Sequence, residues 1–379
     1  MASDARRRAR DEVVELSRSG LDWVTFAARA GEAVCRVVPF TRCCWHSVDP
    51  GTVLFTGSVS KHVSCSGQWL AEHEYVVDDV NKWQFLARSG RRAGATSLAT
   101  HGDLTRSARH RSHAAFGIGD ELRGAMVSDG TYWGAVAFLR ESDDHWFTED
   151  DVRFLLELST PLADGFRRSL VSATVAGAAG GTHGPGVVVF GPDGRVESLS
   201  PAAERWIEEM VEVPAPVEPA ESKMLQVVAA RARAGAAGGT DPLEHTARAR
   251  VRTRSGEWLL LYGTRLSGDG GRTAVIVQPA TRHEVAPLIA LAYGLSQREC
   301  AVAQMCLQGR STRQMAQALS VSPYTVQDHL TSIFGKTGVR SRGELVGQVF
   351  LEHYVTRWDD GAPAEGGWSA WRTPGTFGS

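Results

Sequence analysis

Between Leu295 and Val349 the apolar positions fall into four short helical runs, and each opens on a serine. Val326, Leu330, Ile333 and Phe334 recur at the three- and four-residue offsets of one helix face. The starts are Ser296 to Glu299, Ser311 to Gln314, Ser322-Pro323 and Ser341 to Glu344. Three of them read as capping boxes, in which serine accepts the N–H three residues on while Glu or Gln reaches back to the cap N–H. The fourth pairs serine with a proline whose missing N–H costs nothing at the first helical position. Each cap contributes about 1 kcal/mol. Gly309 closes the first helix and Gly338 follows the third as a left-handed cap. The brief Ser320-Val321-Ser322 link predicts a helix-turn-helix with a support helix on either side. Ala316, Leu319, Val321, Val326, Leu330 and Ile333 form its expected core, with Ala316 small where the helices cross.

Upstream the pattern is mixed. Residues 11 to 171 open with a helical segment carrying Val13, Leu16, Leu21, Val24, Ala27, Val34 and Val37, followed by strand-like runs. In LRGAMVSDGTYWGAVAFLRE two β-rich runs flank Asp129-Gly130, which suits the positive φ angles of a tight hairpin. FTEDDVRFLLELSTPLADGFRRSL then predicts an amphipathic helix capped by Thr148, with Glu149, Asp150 and Asp151 in its first turn and Pro161 as a possible kink. A Gly/Ala-rich stretch at 172 to 186 reads as a linker, a weaker break falls at 278 to 287, and residues 356 to 379 read as a disordered tail in which Trp368 and Trp371 are stray aromatics or a docking point. Within 184 to 280, GVVVFGPDGRVESLSPAAERW gives strand, turn, strand, and a helix capped by Ser200 with Pro201 at its first position; more strands follow. The expected architecture is multidomain α+β with an all-α four-helix unit at 291 to 353.

The order helix, strands, hairpin, helix and the phrase FTEDDVRFLLEL resemble a GAF domain, and PDGRVESLSPAAE resembles the opening of a PAS domain. The first resemblance implies a small-molecule pocket on the sheet and terminal helices that form a dimer. LSQRECAVAQMCLQGRSTRQMAQALSVSPYTVQDHLTSIFGKTGVRSRGELV resembles the LuxR-type helix-turn-helix of bacterial transcription regulators, on letters that include Arg298-Glu299, Gly309, Ser311, Ala316, Thr325-Val326, His329-Leu330, Lys336 and Gly338-Val339. That resemblance implies that the third helix enters the major groove of double-stranded DNA and the fourth pairs two subunits, with RNA polymerase as a further partner.

Gln327, Asp328 and Thr331 share the helix face opposite Val326, Leu330 and Ile333, where Gln can bond adenine and Asp can accept from cytosine N4. Asp328 could equally face solvent. Arg310, Arg313, Thr325 and Lys336 are the phosphate candidates. The family usually has a base where Gln327 stands and often others at Thr331 and Gly335, so this helix is less cationic. Gly335-Lys336-Thr337 imitates the end of a P-loop, but Leu330 stands where the leading glycine is required and the tripeptide ends a helix.

Composition narrows the rest. The formal charge of −2 excludes a uniformly basic coat, so DNA binding needs a local surface. Arginine dominates over four lysines, Lys61, Lys82, Lys223 and Lys336, which with abundant Ala and Gly suits a GC-rich bacterial genome. No apolar run approaches a membrane span and no signal-peptide core follows MASDARRRAR, so a cytoplasmic location with reduced cysteines is expected. Cys43-Cys44 with His46, His62 and Cys65 lack chelate spacing, and adjacent strand residues point to opposite faces; core packing is the expectation, metal or thiol sensing the alternative. His101, His110 and His113 read as loop surface or a pocket lid. Arg248, Arg250, Arg252 and Arg254 share one strand face, read as solvated rather than as a nucleic-acid stripe. Asp78-Asp79 lacks the alternating framework of a phosphoacceptor. Tyr75, Trp83 and Phe85 could line a sensor pocket, with core packing as the alternative. No enzyme motif and no cofactor motif occurs, which leaves a ligand- or partner-responsive regulator, with a sensor acting through protein contacts alone as the competing reading.

Overall fold

The computed structural model describes residues 2–63, 65–172, 184–216, 218–235, 247–267 and 270–347. Most of the expected linker, the end of the fourth C-terminal helix, and the tail with Trp368 and Trp371 lie outside them.

The N-terminal helical segment is two helices, α1 (Ala2–Leu16) and α2 (Trp23–Cys35). The break is Gly20 at φ +69°, after which Asp22 restarts the helix by accepting the Val24 and Thr25 N–H groups. α1 begins well before residue 11 and buries Ala9 and Val13. Strands β1 (Arg42–Asp49), β2 (Leu54–Lys61), β3 (Ala93–Ala95), β4 (Ile118–Ser128) and β5 (Thr131–Glu141) build an antiparallel sheet in the order β3-β4-β5-β1-β2. The β4–β5 hairpin turns at Asp129 and Gly130, both at positive φ. Short helices α3 (Gly67–Ala71), α4 (Trp83–Arg88), α5 (Thr96–Ala99) and α6 (Ala108–His113) fill the connections. Helix α7 (Glu149–Ser172) starts at a reciprocal pair, Asp151 N–H to Thr148 Oγ1 at 3.2 Å and Thr148 N–H to the Asp151 carboxylate at 3.0 Å, and continues through Pro161. Both sheet faces are covered. Cys43 and Trp45 join Phe26, Phe138 and Phe166 on one side, while Cys44 and Val48 join Phe55 and Trp83 on the other, as the pleat requires.

The second sheet contains β6 (Gly186–Phe190), β7 (Val196–Leu199), β9 (Arg248–Arg252), β10 (Trp258–Arg265) and β11 (Thr273–Pro279), in the order β7-β6-β11-β10-β9. Numbered within each sheet, both follow second, first, fifth, fourth, third. Helix α8 (Pro201–Glu209) is capped by Ser200, which accepts the Ala203 N–H. The two sheets are not separate bodies. Strand β8 (Glu212–Val213) leaves the second unit and pairs in parallel with β2, as a sixth strand of the first sheet. Helix α9 (Lys223–Ala234) lies between β2 and α3 on one side and β10 and β11 on the other. Met224, Val227, Val228 and Ala230 are fully buried, and Gln226 and Arg231 are buried with them. Gly263 permits the approach, since a Cβ there would lie 2.9 Å from Val228. The sequence boundary between the two sheet-built units is therefore bridged by one shared core.

Arg250 and Arg252 correct the solvated-face expectation, because they meet the first unit, whereas Arg248 is half-buried and Arg254 is exposed. Asp49, at the end of β1, accepts the Arg250 backbone N–H at 3.0 Å, Nε at 2.8 Å and Nη2 at 2.5 Å, while Arg250 Nη1 donates to the Glu284 carbonyl at 3.0 Å. Arg252 donates to the Leu170 carbonyl at 2.9 Å. Glu284 belongs to α10 (Arg282–Ala292), which Thr281 and Glu284 start with a capping box and which packs between α7 and the C-terminal helices. No described helix is long and apolar enough to cross a membrane.

Candidate nucleic-acid interface

The C-terminal unit is α11 (Gln297–Leu307), α12 (Thr312–Leu319), α13 (Pro323–Thr337) and the short α14 (Arg342–Glu344). The Ser296/Glu299 and Ser311/Gln314 capping boxes are complete, and Ser322 accepts the Thr325 N–H ahead of Pro323. The third expected box is only half formed. Ser341 accepts the Glu344 N–H, but the Glu344 carboxylate takes the Arg340 N–H instead. Ser320, left-handed at φ +53°, ends α12, and the chain turns straight into α13. Val326, Leu330 and Ile333 are buried with Ala316 as expected, whereas Leu319 and Val321 are half-buried. Met315, Val302 and Cys306, which periodicity did not single out, complete the core.

On the opposite side of α13, Gln327, Asp328 and Thr331 are exposed together. The Thr331 hydroxyl donates to the Gln327 carbonyl at 3.0 Å, which leaves its lone pairs outward. Tyr324, 76 % exposed on the first turn, extends this face and was missed in the sequence; only its place beside the proline cap could have flagged it. Thr325 is half-buried and shares a 2.9 Å hydroxyl contact with Ser322. Arg310 and Arg313 are exposed at the start of α12 and form no ion pair among the described residues. Arg342 is internal, donating to Thr312 Oγ1 at 2.8 Å.

Lys336, a phosphate candidate, is exposed and held in an ion pair. Its ammonium donates to Glu299 at 2.7 Å, and Ser332 Oγ donates to the other Glu299 oxygen at 2.6 Å. The Ser296 N–H adds a third donor at 2.6 Å. Burial alone would raise the Glu299 carboxyl, but the hydrogen bonds from Lys336, Ser332 and Ser296 outweigh it and hold it at about 2. One carboxylate thus ties the start of α11 to the end of α13. The Gly335-Lys336-Thr337 imitation of a P-loop is helix throughout, with the Thr337 hydroxyl bonded to the Ile333 carbonyl.

The expected sensor-pocket residues do not surround one cavity. Trp83 is a core residue whose indole N–H reaches the Val136 carbonyl at 3.0 Å and whose ring lies under the Arg123 guanidinium at 3.6 Å. Tyr75 donates to the Val53 carbonyl, and Phe85 is 60 % exposed. Arg123 and Arg109 are buried with Glu121, Glu74 and Asp79 in a paired network that fills this side of the sheet. His113 corrects the loop-surface reading: it stacks on Trp69 at 4.1 Å, and burial lowers it to about 4. His101 is exposed and His110 half-buried. His46 is buried against Phe55, and burial holds it neutral. No set of three or more potential metal-binding side chains gathers among the described residues.

Residues 294–348 match the family model for bacterial regulatory proteins of the luxR family. A putative HTH-type transcriptional regulator from the exeN 3′ region of Aeromonas salmonicida is 40% identical over 62 residues, which is 16% of this chain and 31% of that protein. The chain thus matches under a third of that relative's length. Among solved structures, a bacteriophytochrome from R. palustris is 10% identical, covering 72% of this chain and 62% of its own, with a TM-score of 0.31. The phage VqmA–DPO complex is 18% identical over 45% of this chain and 85% of its own, with a TM-score of 0.17. Those two likenesses are remote, and nothing about the sheets rests on them. The C-terminal unit is a LuxR-type helix-turn-helix domain.

Proposed function

We propose that the chain is a cytoplasmic, homodimeric transcription regulator that reads double-stranded DNA through α13. On this reading the two sheet-built units, GAF-like and PAS-like by sequence resemblance, respond to a small ligand or partner and set the spacing of two reading helices. The chain is a binding protein, not an enzyme, and RNA polymerase is a downstream partner. The observation that carries the proposal is the exposed polar face Tyr324, Gln327, Asp328 and Thr331 on a helix braced from behind by Glu299. Gln327 and Asp328 select bases, while Arg310 and Arg313 meet phosphate.

One observation favours a second reading, a sensor acting through protein contacts. The outward face of α13 carries one acid and no base, and Lys336 is engaged with Glu299. Affinity per subunit is then low and depends on dimerisation. Selection from random duplexes at low salt, followed by gel shift with Gln327→Ala and Arg313→Ala, separates the two. An enriched motif lost in Gln327→Ala supports the DNA reader; no enrichment at low salt supports the interaction protein.

A further inference from the structure

Where α2, β1 and α7 meet β9 and α10, a cavity of about 310 Å3 opens between the two units. That volume lies at the lower end of the range for small-molecule sites, about 300–1,000 Å3. Trp23, Trp133, Phe166 and Trp258 supply aromatic walls. Gly57 makes room for the first: a Cβ there would lie 2.6 Å from the Trp23 ring and 2.8 Å from Ser47 Oγ. Trp133 is 2% exposed, and its indole N–H has no acceptor among the described residues. A buried donor left unspent is costly in a finished core and ordinary in a site awaiting a ligand.

The charged wall is asymmetric. Arg250, Arg252 and Arg254 line the cavity against Asp22 and Asp49, three cations to two anions. Both aspartates are occupied, Asp49 by Arg250 and Asp22 by the α2 N-terminus. Arg254, exposed at the rim, reaches among the described residues only the Glu212 carbonyl, at 3.4 Å. Leu288 of α10 forms part of the same lining, so an occupant touches the first unit, the second unit and the helix leading to the DNA-reading domain.

We infer that this cavity binds a small aromatic carboxylate, its ring between the tryptophans and its anionic end toward Arg254 just beyond β9. The site would be the sensor of the proposed regulator, and the inference rests on that reading. Occupancy changes how α10 is held against α7 and thereby the spacing of paired reading helices.

Calorimetry on the full chain tests it with benzoate, indole-3-acetate and 2-naphthoate, each beside its uncharged primary amide. At least one acid binds, its amide binds about tenfold more weakly or worse, and Arg254→Ala weakens the acid about tenfold, as loss of a charge-assisted contact requires. Ser169→Trp, which fills the lining from α7, abolishes binding. Should that variant fail to fold, Arg254→Ala decides, since its side chain is on the surface. Failure of all three acids to bind, equal binding of acid and amide, or acid binding undiminished in the variants overturns the assignment. Gel shift of the unliganded chain is scored separately. DNA binding without acid binding removes this site and keeps the regulator; acid binding without DNA binding does the reverse.

Discussion

Changing Glu299 to Gln tests what braces α13. The carboxylate holds Ser296 N–H, Ser332 Oγ and Lys336 Nζ at 2.6 to 2.7 Å while only 6% exposed. Glutamine keeps an oxygen for Ser296 and Lys336, which share Oε2, but removes the charge that the Lys336 ammonium pairs with and turns an amide NH2 toward the Ser332 hydroxyl. A charge-assisted hydrogen bond to a buried group is worth about 1.5–3 kcal/mol, and because Lys336 is 39% exposed we take about 2 kcal/mol. Local opening of α13 then becomes about 30-fold more frequent. Hydrogen exchange followed by mass spectrometry on the full chain reads this as about 30-fold faster exchange over residues 326–333, with α9 unchanged. Unchanged exchange there, or an equal loss when Lys336 is already Met, refutes the reasoning, because the pair would not be the source. The folded carboxyl lies below its ordinary 4.5, so the folded form binds fewer protons in between. The brace is complete above about pH 4.5 and lost as pH falls toward about 2.

Gln327→Ala costs about 1–3 kcal/mol on the selected sequence and little on random DNA, whereas Arg313→Ala weakens both alike and lowers the salt slope by about 1; titrations at several salt concentrations check both. Asp49→Asn leaves the Arg250 guanidinium buried without its counter-charge, a loss of about 3–5 kcal/mol that thermal unfolding reads as a lower first transition. His113 is lowered to about 4 by burial, so the unfolded chain takes up a proton that the folded one refuses, and stability falls with pH between its ordinary 6.5 and about 4. His113→Phe, which retains a ring over Trp69, flattens that slope in acid melts.

The C-terminal unit was legible because its signals are local. Capping pairs three residues apart, a left-handed stop and a short turn depend on no distant partner, and Ser296, Ser311 and Ser322 all cap where the letters place them. The Thr148 start of α7 and the Asp129-Gly130 turn are legible for the same reason. What failed was long-range. Lys336 looks like an unpaired surface cation until Glu299, 37 residues away, folds beside it. Arg250 looks solvated until Asp49, 201 residues away, arrives across the junction. Trp83 and Phe85 are equally aromatic in one dimension, yet Trp83 is 1% exposed and Phe85 is 60% exposed, because α4 turns one inward and the other out.

Helix α9 and strand β8 bear on how this protein can be cut and recombined. A chimera joined near residue 180 would graft a foreign partner onto β2 while discarding the strand that pairs with it and the helix that roofs it. Residues 210–234 belong with the N-terminal sheet, and β6 before them pairs with β11 after them, so swaps between relatives should succeed only at joints beyond β11.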